Sequence, residues 1–71
     1  MKATKLEKVA ICKAPKTETT YGYIYKVGKS FGYYMCGSSI PEQTGSLKKV
    51  EDYVKSYWTL DIKRMAKFRN L

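Results

Sequence analysis

Tyr21, Tyr23 and Tyr25 stand at every second position, Val27 continues the series, and beyond Gly28-Lys29-Ser30 the residues Phe31, Tyr33 and Met35 repeat it. A period of two puts alternate side chains on one face of an extended strand, and a glycine between two such runs marks a hairpin turn. The sequence therefore predicts a β-hairpin, with strands over about 20–27 and 31–38, that concentrates aromatic rings on one face. In a basic chain such a face is either half of a core or a contact surface.

The length of the turn decides which side chains share that face. A two-residue turn at Gly28-Lys29 pairs Val27 with Ser30 and sets the tyrosine triplet opposite Gly32, Tyr34 and Cys36. A three-residue turn with a bulge pairs Val27 with Phe31 and sets the triplet opposite Tyr33 and Met35. The second arrangement is favoured, because it gathers Tyr21, Tyr23, Tyr25, Phe31, Tyr33 and Met35 on one side and leaves Gly22, Gly32 and Lys26 on the other. That face is then expected to pack as core, its tyrosine hydroxyls reaching the rim.

Upstream, Leu6, Val9 and Ile11 precede Ala14-Pro15, where proline ends strand pairing, so residues of about 6–13 read as a first strand. Val9 and Ile11 share a face in a regular strand; Leu6 joins them only through a bulge or a late start. Pro15 to Thr19 forms a polar connection. Downstream, Ser46 is a plausible N-cap for a helix over about 46–58, whose stripe is Leu47, Val50, Val54, Tyr57 and Trp58 with Tyr53 at its edge. Glu51 to Lys55 and Lys48 to Asp52 are i,i+4 ion pairs on its exposed side. A continuous helix to the C-terminus would bury Asp61 within the stripe, so the chain is expected to break near Thr59 to Asp61 and start a second helix over about 61–70. The expected fold is α+β: residues 1–71 form one small domain in which a three-stranded antiparallel sheet packs against a C-terminal helix, in the order β-β-β-α with a second short helix after it.

At 71 residues only about 60% of the unfolded chain's surface can be buried, so the core is thin. No apolar run nears the length of a membrane span, and Met1 to Lys8 lacks the apolar stretch of a secretory leader, so a cytoplasmic location and no membrane partner are expected. Histidine is absent, and the two cysteines, Cys12 and Cys36, have no metal-binding spacing, so no metal or other cofactor is expected and both are read as free buried thiols rather than a bridge. The adjacent acids Glu51 and Asp52 diverge on a helix and read as solvated charges. With no base beside either cysteine, catalysis has little to work with, and the chain is read as a non-enzyme.

The formal charge is +8. It is concentrated at the ends: residues 1–16 carry a net +4 and residues 60–71 a net +3, whereas residues 17–45 are neutral. A field of this sign attracts polyanions, with binding that weakens as salt rises. The leading expectation is a small nucleic-acid-binding protein. Lys26 and Lys29 on the hairpin, with Lys63, Arg64, Lys67 and Arg69 near the C-terminus, would contact phosphates, and Tyr23, Tyr25 and Tyr34 would contact bases or sugars. The alternative is a protein-interaction module, an inhibitor or adaptor that docks on an acidic protein or associates with itself as a homodimer, because the chain carries the Tyr, Trp, Arg and Met that concentrate at interface hot spots.

Overall fold

The computed structural model describes residues 6–70; Lys2 and Lys5 of the basic N-terminal segment lie outside them. Five strands, β1 (Glu7–Lys13), β2 (Thr20–Val27), β3 (Ser30–Met35), β4 (Gln43–Gly45) and β5 (Asp61–Arg64), form one antiparallel sheet in the order β4-β3-β2-β1-β5. Between β4 and β5 the chain crosses one face of the sheet as helix α1 (Leu47–Tyr53), which widens into a π-helical turn over Val54–Trp58. The α+β class and the helix hold.

The strand number does not. β4 has three residues, too few to show alternation, and β5 is a four-residue strand whose Asp-Ile-Lys-Arg composition reads equally well as one turn of a helix. The expected helix over 61–70 is instead β5 followed by a short 3-10 helix, Ala66–Phe68. The break before it is where the sequence puts it: Thr59 takes the left-handed conformation at φ 51° and ends the helical segment. Ser46 caps α1 as expected, its side chain accepting from the Lys49 N–H at 3.2 Å.

The hairpin adopts the shorter turn. Val27 pairs with Ser30 and Tyr25 with Gly32, and of the two turn residues only Gly28 has a positive φ, 61°, which makes the turn type II′. Its twist matches that of the flanking strands, so no bulge is needed. The consequence is the reverse of the expected sorting. Phe31, Tyr33 and Met35 alternate to the helix side with Ile24, while Tyr34 joins Tyr23 and Tyr25 on the side the helix leaves uncovered.

A second irregularity sorts β1. Register shifts between Lys8 and Ala10 against β2, so the bulge at Val9 turns both Val9 and Ala10 into the core. Val9 and Ile11 therefore do not share a face: Ile11, opposite Tyr23, faces outward beside Lys8 and Lys13. The core is Val9, Ala10, Cys12, Ile24 and Tyr33 from the sheet against Leu47, Val50, Val54, Leu60 and Phe68. Gly22 makes this packing possible, since a Cβ there would lie 2.9 Å from the Tyr33 hydroxyl and 2.4 Å from the Tyr34 carbonyl oxygen.

Two side chains depart from their expected surroundings. Glu51 is buried rather than solvated, and its carboxylate meets Arg64 of β5 instead of Lys55. The Lys48–Asp52 pair forms on the exposed side of α1, at 3.3 Å. Cys12 is buried and Cys36 exposed, both as free thiols, so only one of the two is the buried thiol expected.

Candidate functional site

The uncovered face of the sheet gathers most of the chemistry the sequence singles out. The short turn fixes Tyr23 and Tyr25 on β2 opposite Tyr34 and Gly32 on β3. Tyr25 and Tyr34 meet edge to face with ring centroids 5.4 Å apart, and Tyr23 and Tyr25 tilt together at 6.0 Å. The quadrupoles of aromatic rings favour such geometry. The three rings are half-buried against one another, and Tyr21 extends the row at 43% exposure. None of them belongs to the core, so the tyrosine triplet is a surface rather than the packed face that the longer turn would have made.

Cations border this surface on one side. Lys8, opposite Tyr25 on β1, holds its ammonium 4.2 Å from the Tyr23 ring centroid. At an exposed site such a contact is worth only about 0.5–1 kcal/mol, so an incoming anion competes with it readily. Further along β1, Ile11 floors a shallow depression of about 260 Å³ whose rim includes Lys13, Lys63 and Arg69. Asp61, opposite Lys13, is the carboxylate nearest to them in the strand register. On the other side, β3 and β4 present Ser30, Tyr34 and Thr44 outward; neither strand contains a cation.

At the turn end a cleft of about 560 Å³ is lined by Leu6, Glu7, Lys8, Lys26, Gly28 and Lys67. Lys26 alternates to the helix side of β2, opposite Glu7, and the Lys67 ammonium donates to the Glu7 carboxylate. Three lysines around one carboxylate leave the cleft net positive. Lys29 stands exposed in the turn beside it.

Thus Tyr23, Tyr25, Tyr34, Lys63 and Arg69 come together on the open face, Lys26 and Lys67 line the adjoining cleft, and Lys29 flanks it. Arg64 does not join them. Alternation directs it beneath the sheet, where its Nε and Nη2 donate to the two Glu51 oxygens at 2.7 and 2.8 Å and its Nη1 donates to the Phe68 carbonyl at 3.3 Å. Sequence reasoning missed Lys8, Ile11 and Lys13, because only the bulge at Val9 brings them to the tyrosine side.

The opposite surface carries a smaller aromatic group. The π-helical turn stacks Tyr57 on Tyr53, centroids 5.2 Å apart and planes 10° from parallel, while the Trp58 indole N–H donates to the Tyr53 hydroxyl at 3.2 Å. Tyr57 is 71% exposed.

Among the described residues, no group of three or more His, Cys, Asp or Glu side chains is placed to hold a metal ion. No helix among them is long and apolar enough to cross a membrane. No protein-family model matches the chain, and no curated protein or solved structure matches it either. What the fold and surface define is a class by geometry: a helix-backed five-stranded antiparallel sheet with an uncovered aromatic face and one cationic border.

Proposed function

We propose that this chain is a small cytoplasmic nucleic-acid-binding protein without catalytic activity, and that the uncovered face of its sheet is the contact surface. The observation that carries this reading is the cluster of Tyr23, Tyr25 and Tyr34 on a face the core does not use, bordered by Lys8, Lys13, Lys63 and Arg69. Rings half-open to solvent offer stacking platforms for bases, worth about 1–3 kcal/mol each, and the cations offer partners for phosphates. The net charge of +8 draws a polyanion toward this border from a distance.

Fluorescence anisotropy with labelled single-stranded and duplex oligonucleotides across a salt series tests it. Binding in the micromolar range or tighter that persists at physiological salt is the expected result. Association confined to very low salt would mean that the charge attracts polyanions without a built contact surface, and would remove the proposal.

A second reading rests on the separate aromatic group at the helix end. Tyr57, Tyr53 and Trp58 are residue types that anchor protein interfaces, and Tyr57 is largely exposed. On this reading the chain is an adaptor or inhibitor whose helical side docks on an acidic protein, or pairs with a second copy. Sedimentation across a wide concentration range checks the second-copy form, which Tyr57→Ala should abolish.

A further inference from the structure

We infer that the ligand of the open face is a single strand lying lengthwise along β2, its bases over the tyrosines and its phosphates along the β1–β5 side. This rests on the nucleic-acid reading above and gives it a direction and a strandedness. The carrying observation is the lopsided charge of the face. Among the described residues, the cations that strand register and the Ile11 depression place on it, Lys8, Lys13, Lys63 and Arg69, belong to β1, β5 or the segment after β5, whereas β3 and β4 bring none. A duplex laid across the sheet would present phosphates to both borders; a single strand has one phosphate edge and one base edge.

The dimensions agree. Adjacent strands lie about 4.8 Å apart, so β5, which carries Lys63, runs about 10 Å from β2, the breadth of a nucleotide from base to phosphate. Ile11, between Tyr23 and Lys63 in the register, gives the sugar an apolar floor. Tyr25 and Tyr34 touch across β2 and β3, which widens the platform on the base side and not on the phosphate side. Lys8 links the two halves of the site. Its ammonium covers the Tyr23 ring until a phosphate draws it away, so the same movement that neutralises a phosphate uncovers a stacking face.

One stacked base at each ring along β2, Tyr21, Tyr23 and Tyr25, sets a site of about three nucleotides. The test uses labelled oligothymidylates of increasing length, a duplex of matched length, and two classes of variant. Wild-type affinity should rise steeply to about three or four nucleotides and then level off, with single strands bound more tightly than duplex. Lys8→Gln with Lys63→Gln should flatten the dependence of log K on log salt, from a slope of about −2 toward about −0.7, because each lost phosphate contact removes about 0.7 from the slope. Tyr23→Ala and Tyr34→Ala should lower affinity about tenfold at every salt concentration and leave the slope unchanged; Tyr23→Phe, which keeps the ring, should bind as wild type. Circular dichroism of each variant excludes misfolding as the cause.

Tighter binding to duplex, or lysine variants with the wild-type slope, would overturn the lengthwise single strand while leaving nucleic-acid binding in place. No binding of any form by the wild-type protein at low salt would overturn both.

Discussion

Arg64 and Glu51, thirteen residues apart in the chain, meet beneath the sheet in a two-pronged ion pair of 2.7 and 2.8 Å that ties the last strand to the helix crossing over it. The pair is mostly withdrawn from solvent, with side-chain exposures of 24% and 10%. Hydrogen bonding to Glu51 raises the Arg64 pKa, so the guanidinium stays charged throughout the accessible pH range. Removing one partner strands the other. Arg64→Ala should lower unfolding free energy by about 2–4 kcal/mol, read by urea denaturation with Trp58 fluorescence, whereas Glu51→Leu with Arg64→Met should come close to wild type because both charges leave together. If the double variant is as unstable as the single one, the pair contributes more than charge balance.

Gly22 is the most tightly enclosed glycine of the sheet. A Cβ at this position would sit 2.8 Å from a Tyr33 ring carbon as well as 2.4 Å from the Tyr34 carbonyl oxygen, and neither atom can move without disturbing the core or the hairpin ladder. Gly22→Ala is expected to destabilise by about 2–3 kcal/mol through overpacking. Gly37→Ala, at φ 82° with nothing near its Cβ, is the comparison: only the strained backbone is felt there, about 1 kcal/mol. Urea midpoints of the two variants separate the effects.

The two thiols should differ in reactivity by orders of magnitude. Cys36 is exposed, and Cys12 is fully buried with its thiol pushed up to about 12 by burial and, less, by the Glu51 charge. A chromogenic disulfide reagent at pH 8 should therefore consume one thiol promptly and the second only at the rate of unfolding. Two fast equivalents would mean that the sheet opens around β1 in the native state.

Alkaline conditions should weaken the fold. Burial raises Cys12 from 9.0 to about 12, and burial, with smaller contributions from neighbouring groups, raises Tyr33 from 10.0 to about 12. Below about pH 8 both are protonated in the folded and unfolded chains alike, so their contribution is complete. Above it the unfolded chain releases protons that the folded chain retains, and stability falls by up to about 1.4 kcal/mol per pH unit for each group until the folded values are passed. The urea midpoint should drop between pH 8.5 and 10, and Cys12→Ala should make that drop shallower.

If the open face binds bases, Tyr25 should matter most among its rings, since it contacts both Tyr23 and Tyr34. Tyr25→Ala is expected to weaken oligonucleotide binding by about 10- to 100-fold, and Tyr57→Ala, on the other side of the sheet, to leave it unchanged. Anisotropy titrations of both variants decide between the two surfaces.

The strands of about 6–13 and 20–27, the helix start at Ser46 and the break near Thr59 to Asp61 were legible because each has a local cause: alternation, proline, a capping hydroxyl, a charge that cannot be buried in a stripe. The hairpin's sorting was not. Phe31-Gly32-Tyr33-Tyr34-Met35 is apolar on both faces, so alternation alone leaves its register open. Lys8 and Lys13 reach the tyrosine side only because of a bulge, which has no signature at Val9. β5 was hidden for a related reason. Asp61-Ile62-Lys63-Arg64 suits a helix by composition and becomes a strand because Ile62 and Arg64 find Cys12 and Ala10 on the outer edge of β1. The partners of Arg64 and Lys67 follow from that tertiary placement, and no spacing in the chain announces them.

The two-residue turn at Gly28-Lys29 has a consequence beyond the hairpin. Had the turn taken in Ser30 as a third residue, β3 would have shifted by one residue against β2, sending Phe31, Tyr33 and Met35 to the uncovered face and Tyr34 under the helix. No residue of the chain would change, yet the two faces of the hairpin would exchange occupants. What the uncovered face displays is therefore decided by which residues the turn takes up, more than by any single side chain upon it.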